Sequence, residues 1–131
     1  MEWKYKIDLE DERCFDKYEK ECGFSFPMEL KKFIIENNAA SPNKKCVVFA
    51  GKERVLDYLI SFNENEDESI TFREAYKSIG KKDIIPFASD PFGNYFYYFL
   101  DGNKIGFYDH EELLFIESQY SLSEFLNALY D

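Results

Sequence analysis

Apolar residues recur at helical spacing in the first third of the chain and predict two helices. The first spans about residues 8–22, and Gly23 follows it where a C-cap would stand. Pro27 suits the first position of a second helix, which ends near residues 37–38. The apolar faces are Cys14, Phe15, Tyr18 and Cys22 in the first helix and Leu30, Phe33 and Ile34 in the second.

Two capping boxes mark the starts of two further helices. Thr71 and Glu74 have the required spacing at the beginning of residues 71–79, and Gly80 ends that segment. Ser121 and Glu124 repeat the spacing before an apolar stripe, which predicts a helix that closes the chain. That stripe consists of Leu122, Phe125, Leu126 and Leu129.

Two strands are predicted between the second and third helices. Residues 46–50 form a short apolar run, typical of a strand covered on both faces. Residues 55–62 alternate, with Asp57 and Ser61 on one face. The other face consists of Leu56, Tyr58, Ile60 and Phe62. An acidic loop follows at residues 64–68.

Residues 84–112 are the stretch around which the remaining elements are organised. Strand 84–88 contains Pro86, which lacks an amide donor and therefore belongs at an edge, an end or a bulge. A turn at 90–94 leads into strand 95–100, and a hairpin loop at 101–103 leads into an antiparallel strand at 104–109. Gly93 and Gly102 are assigned to the backbone geometry of these turns.

Both faces of strand 95–100 are apolar, because Tyr95, Tyr97 and Phe99 alternate with Phe96, Tyr98 and Leu100. Such a strand should be central, with helices on one face and either more chain or a partner on the other. One strand-like run follows before the closing helix.

The length of 131 residues favours one domain that spans residues 1–131. The charged N-terminus is unlike a signal peptide and no apolar run is long enough for a bilayer, so we expect a soluble, cytoplasmic protein. Three cysteines without CxxC spacing predict neither a disulfide framework nor a zinc site. The aromatic share of 19% means an unusually aromatic core or rings that face a partner.

The net charge of −10 is concentrated in the C-terminal part of the chain. Residues 1–82 carry 15 basic and 17 acidic side chains, whereas residues 83–131 carry one lysine against nine acids, which gives −2 and −8. This field repels nucleic acid and anionic membranes and attracts a basic partner. Solubility alone is the other explanation of such a charge.

No set of catalytic residues can be assembled from the sequence. His110 is the only histidine, and its acidic neighbours along the chain point in divergent directions, so it is interpreted as part of a polar turn. The chain has no nucleophile elbow and no phosphate-binding glycine loop. Aromatic platforms for single-stranded nucleic acid need basic surroundings, which are absent here. We therefore expect no enzyme, cofactor or metal.

Two blocks of the sequence resemble the SUKH superfamily, which includes bacterial immunity proteins and fungal cell-wall-assembly regulators. The first block is GFSFPMELKKF at residues 23–33, followed by Asn37 and Asn38. The second comprises IPFA at 85–88, then Asp90, Gly93, the aromatic strand, Gly102 and FYDHE at 107–111. Ala39 and Ala40 stand where the family has an Asn-Gly-Gly-like ending.

The resemblance implies an α+β fold, with a mostly antiparallel sheet of about five to six strands flanked by N-terminal and C-terminal helices. It also implies an immunity protein that neutralises a toxin, often a nuclease. The basic surface of such a toxin domain would suit the acidic surface found here. The alternative, from the fungal relatives, is a regulatory or scaffold module that binds an endogenous protein.

The predicted contact residues form two acidic groups with possible aromatic anchors. Tyr95 or Tyr97 would be anchors if their face is open, whereas Pro27, Pro86, Gly93 and Gly102 serve the backbone. Asp90 and Asp109 are also candidates for turn capping. The first acidic group is Asp90, Asp101, Glu111 and Glu112, and the second is Glu66, Asp67 and Glu68.

Overall fold

The computed structural model describes all residues from 1 to 131, which form four helices and nine strands. The helices are α1 (Cys14–Cys22), α2 (Met28–Asn37), α3 (Phe72–Ile79) and α4 (Leu122–Asn127). The strands are β1 (Trp3–Lys4), β2 (Ser41–Pro42), β3 (Cys46–Phe49), β4 (Lys52–Val55), β5 (Tyr58–Leu59), β6 (Ile84–Ser89), β7 (Tyr95–Phe99), β8 (Lys104–Asp109) and β9 (Leu114–Glu117). No helix has both the length and the apolar character needed to cross a membrane.

The main sheet has five antiparallel strands in the order β5-β6-β7-β8-β9, and β1–β2 and β3–β4 form two smaller pairs. The predicted α+β class is therefore confirmed. The aromatic strand β7 is central, as its two apolar faces predicted. Pro86 lies at a bulge, because the pairing of β6 with β7 shifts register between Pro86 and Ala88.

Both faces of β7 are covered by the chain itself. On one face, Phe96 packs against Phe49, Phe107 and Phe125, with ring centroids 5.0–5.8 Å apart. On the other face, Tyr95 and Tyr97 are buried, and the Tyr97 ring lies over Gly106 of the neighbouring strand, where an added Cβ would come within 2.1 Å of it. The second face of β7 was predicted to be covered either by more chain or by a partner, and the structure shows that the chain covers it.

The predicted helix ends agree with the structure, whereas one helix start does not. Gly23 and Gly80 adopt the left-handed conformation at the ends of α1 and α3, and both capping boxes are formed. The first helix begins at Cys14 and not near residue 8. The preceding residues are held elsewhere: Ile7 N donates to the carbonyl of Asn38, and Glu10 N donates to Asn63 Oδ1.

The prediction of one strand over residues 55–62 was wrong. Ala50 and Gly51, with φ of 50° and 81°, make a two-residue turn that pairs β4 with β3. Only Tyr58 and Leu59 then join the main sheet. The expectation that β3 is covered on both faces was also wrong, since the Val48 side chain is 50% exposed.

Candidate protein-interaction surface

The loops at residues 90–94 and 110–113 lie at the same end of the sheet. They follow β6 and β8, which run parallel to each other on either side of the antiparallel β7. The hairpin that contains Asp101 follows β7 and therefore lies at the opposite end. We call the pair of loops, together with Asp109 and Leu114, the loop end of the sheet.

Asp90 holds the first of these loops together. Its Oδ1 accepts hydrogen bonds from the amides of Phe92 at 2.9 Å and Asn94 at 2.8 Å, and its Oδ2 accepts one from Asn94 Nδ2 at 2.9 Å. Asp90 is thus a turn-capping residue, as one of its two predicted roles required. The closed turn leaves the ring of Phe92 at its tip, 75% exposed.

Asp109 has the same task in the second loop, where its Oδ1 accepts from the amides of Glu111 at 3.0 Å and Glu112 at 3.2 Å. The two loops are joined by Asn94, whose Oδ1 accepts from the His110 amide at 3.0 Å and lies 2.6 Å from His110 Nδ1. The turn position of His110 is confirmed. Glu111 and Glu112 have no side-chain partner and are exposed.

Gly93 brings the two loops into contact. Its φ is 88°, and an added Cβ would lie 3.3 Å from Cε1 of the His110 ring. A side chain at this position would therefore be strained and would press on the ring. The assignment of Gly93 to backbone geometry agrees with this arrangement.

A groove of about 350 Å³ lies between the two loops and β4. Its walls carry four carboxylates, those of Glu53, Asp90, Asp109 and Glu111, and two cations, those of Lys52 and Arg54. The guanidinium of Arg54 lies 4.4 Å from the centroid of the Phe107 ring. The groove is therefore acidic on balance, with its cations on the β4 side.

Apolar side chains stand beside these acids. Phe92, Leu113 and Leu114 are 75%, 69% and 52% exposed, and sequence reasoning missed all three as contact candidates. Leu113 also has a φ of 56°, an unfavourable conformation for a leucine. Phe92 could have been found, because a ring inside a five-residue turn has little chain to pack against. Nothing in the sequence indicates the conformation of Leu113.

Tyr95 and Tyr97 are not part of this surface. They are 8% and 2% exposed, so the open face on which their anchoring role depended does not exist. Burial raises the pKa of Tyr97 to about 12. The prediction that Tyr95 or Tyr97 anchors a partner is therefore corrected. The apolar residues exposed at the loop end are the candidate anchors instead.

The remaining predicted acids lie apart from the loop end or are already engaged. Asp101 is exposed at the opposite end of the sheet. Glu66 Oε1 accepts hydrogen bonds from Ser61 Oγ at 2.9 Å and Asn63 Nδ2 at 2.8 Å, so it holds its own loop. Asp67 and Glu68 are exposed on that loop. The structure thus divides the predicted acids among three places.

A comparison of the sequence with protein families shows the class to which this fold belongs. The chain belongs to the SMI1/KNR4 family (SUKH-1), whose model matches residues 11–128. This family is known for domains of the immunity-protein type. The family resemblance seen in the sequence is therefore confirmed.

The fold is also found in a crystal structure of a protein from Pseudomonas syringae pv. tomato. The TM-score is 0.64 and the sequence identity 12%, over 99% of this chain and 89% of that chain. At this identity the similarity shows the fold alone. No curated protein matches the chain by sequence.

Proposed function

We propose that the protein is a non-enzymatic, cytoplasmic immunity protein that binds and neutralises a basic toxin domain, of the nuclease type. Residues 1–131 act as one binding module in this proposal. The observation that carries it is the loop end, where Glu111 and Glu112 are exposed beside Phe92, Leu113 and Leu114. Membership of a family with immunity-type domains supports the proposal.

The chemistry of the loop end suits such a partner. A nuclease grips phosphates with Lys and Arg, so its active face is basic. Acidic side chains accelerate encounter with that face, and exposed apolar side chains supply contact area once the two surfaces meet. The charge of −8 in residues 83–131 extends the same attraction beyond the contact.

Glu111 and Glu112 are the acids best placed for this contact, because neither is engaged within the protein. Asp90 and Asp109 contribute charge while they close the loops. Asp67 and Glu68 form a separate and secondary site, and Asp101 takes no part in a contact centred on the loop end.

Co-expression tests this function. The protein is produced together with the C-terminal domain of a toxin encoded next to it, and cell survival and complex formation on gel filtration are scored. We expect survival and a stable complex. Continued killing without a complex contradicts the proposal, and a complex with an endogenous protein instead favours the regulatory or scaffold alternative.

A charge-reversal pair locates the contact in the same assay. Glu111→Lys with Glu112→Lys should reduce protection, whereas Asp101→Lys at the opposite end should leave it intact. The reverse pattern would place the contact at the opposite end of the sheet.

A further inference from the structure

The outer edge of β9 is open. This strand is the last in the sheet, and beyond its ladder with β8 no backbone hydrogen bond uses residues Leu114–Glu117. The other edge of the sheet is covered, because Leu59 of β5 donates to the carbonyl of Ala40 at 2.8 Å. The sheet therefore offers one free edge, which begins at the loop end.

Hydrogen bonds nearby fix which amides point outward. Leu100 N donates to the carbonyl of Asp83, and Ser118 N donates to that of Ile105. Alternate residues of an antiparallel strand point their backbone groups to opposite sides. The alternation across the paired strands directs Leu114 and Ile116 toward β8, and it directs the amides and carbonyls of Phe115 and Glu117 to the open edge.

This edge lacks the usual protection against pairing. Natural edge strands carry lysine, proline or a bulge. In β9 three of four residues are apolar, the only charge is that of Glu117, and the register with β8 is regular. The shortness of the strand is its one protective feature.

We infer that an extended segment of the partner, with apolar residues on one face and one basic residue on the other, adds to β9 as a sixth strand. This inference rests on the proposed function and specifies how the toxin is held. The apolar residues of the added strand lie beside Leu114 and Ile116, on one face of the sheet. A basic residue lies beside Glu117, on the other face.

The position of the basic residue follows from the charges already present. The ammonium of Lys81 lies 4.5 Å from the centroid of the Phe115 ring, on the same face as Glu117. A second cation beside Phe115 would be repelled by Lys81, so the place beside Glu117 is favoured. Glu111 and Glu112 precede the strand and extend the acidic field along its path.

A second copy of this chain is a poor occupant of the edge. It would bring another net charge of −10, together with its own Glu111, Glu112 and Glu117. Like charges in neighbouring strands are destabilising. A positively charged partner is therefore favoured at the edge of β9.

A designed peptide tests strand addition without any toxin. The probe is an eight-residue peptide with Val at every second position on one face and Thr with a single Lys on the other, acetylated and amidated at its ends, titrated to millimolar concentration into isotopically labelled protein. We expect slower amide hydrogen exchange at Phe115 and Glu117 and no change at Leu59. The same peptide with every residue's backbone amide N-methylated keeps its charge but has no amide to donate to β9 in either strand orientation, and it should give no protection.

Two variants of one residue separate the backbone from the charge. Glu117→Ala removes the carboxylate and keeps the outward amide, whereas Glu117→Pro removes both. Proline is tolerated where the missing amide faces away from the ladder, and a melting curve verifies that the variant is folded. We expect the Pro variant to bind the peptide roughly tenfold more weakly than the Ala variant.

Three results overturn the inference: absence of peptide binding, equal affinity of the two variants, and binding without protection of β9. Protection of Phe115 and Glu117 that rises with protein concentration alone would assign the edge to a second copy. Both peptide experiments on the unaltered protein remain decisive even if the Pro variant unfolds. A toxin complex that forms while the peptide fails refutes only strand addition, whereas failure of co-expression refutes only the immunity function.

Discussion

Asn38 is the residue whose replacement tests the packing of this fold most sharply. Its side chain is fully buried and makes three hydrogen bonds. Nδ2 donates to the carbonyl of Ile7 at 3.0 Å and to Ser61 Oγ at 3.2 Å, and Oδ1 accepts from the Phe62 amide at 2.8 Å. Asn38 thus connects the N-terminal segment to the chain between β5 and α3.

The cost of Asn38→Ala follows from the groups it leaves behind. The amide of Phe62 has no other acceptor and lies in the core, so leaving it unsatisfied costs about 1–3 kcal/mol. The lost bond to Ile7 adds about 1 kcal/mol, while Ser61 still donates to Glu66. We expect a loss of about 3 kcal/mol in the free energy of unfolding.

Urea denaturation measures this loss, and the neighbouring residue supplies the control. With a slope of roughly 1.5–2 kcal/mol/M, the midpoint should fall by about 1.5–2 M at unchanged slope. Asn37→Ala removes a single hydrogen bond to the carbonyl of Phe33 and should cost less than about 1 kcal/mol. Equal losses for the two variants would refute the role assigned to the buried network.

Three further substitutions follow from the same structure. Ala50→Asn should raise the free energy of unfolding by about 0.5–1 kcal/mol, because Ala50 is exposed with a φ of 50° and asparagine tolerates that conformation. Glu66→Ala should lower it by about 1.5–3 kcal/mol, because two hydrogen bonds to its carboxylate are lost. Hydrogen bonds from Lys17 and, second, from Arg73 lower the pKa of Glu64 below its ordinary value of 4.5. Their contribution to the free energy of unfolding is therefore present above pH 4.5 and is lost as the pH falls through the lowered pKa. Lys17→Met should make this loss of stability at acid pH smaller.

Matched measurements check these expectations. Thermal or urea unfolding of Asp67→Ala, an exposed neighbour of Glu66, should differ from the parent by less than about 0.5 kcal/mol. A larger effect at Asp67 than at Glu66 would contradict the structural role of Glu66. Unchanged stability of Ala50→Asn would show that the turn is not strained. An acid-unfolding profile of Lys17→Met identical to that of the parent would show that the hydrogen bond from Lys17 to Glu64 does not contribute to the stability.

Local signals in the sequence were sufficient for the elements that have local causes. The capping boxes at Thr71 and Ser121, the glycine at position 80 and the Asp101 hairpin each involve residues within a few positions of one another. The central place of β7 followed from its two apolar faces. A bulge was one of the three places that the missing amide of Pro86 allowed, and the structure shows it there.

Interactions between distant residues account for what the sequence did not show. Helix α1 starts late because Glu10 bonds to Asn63, 53 residues away. The strand over 55–62 was mispredicted because residues 52–55 pair with β3 whereas Tyr58 and Leu59 pair with β6, and the alternation of apolar residues does not show this change of partner. The alternation in β7 showed that both its faces are buried without indicating what covers them, and the tyrosines were therefore left as conditional anchors.

The sequence predicted the negative charge of the surface but not where in the fold each acidic side chain lies. The sequence indicated that the C-terminal part is acidic, and two of its residues, Glu111 and Glu112, prove to be exposed and unengaged. The hairpin order alone places Asp101 at the far end of the sheet. Glu66 accepts hydrogen bonds from the side chains of Ser61 and Asn63 and is therefore engaged within the protein. No local pattern in the sequence predicts these two bonds.

The rate of association with the toxin domain, measured over a range of salt concentrations, shows whether the loop end guides the encounter. The variant Glu111→Gln with Glu112→Gln is compared with Asp83→Asn and Asp101→Asn, which removes two charges at the opposite end. We expect slower association and a shallower salt dependence for the first pair and parent-like behaviour for the second. Equal rates for both pairs would show that the loop end does not guide the encounter.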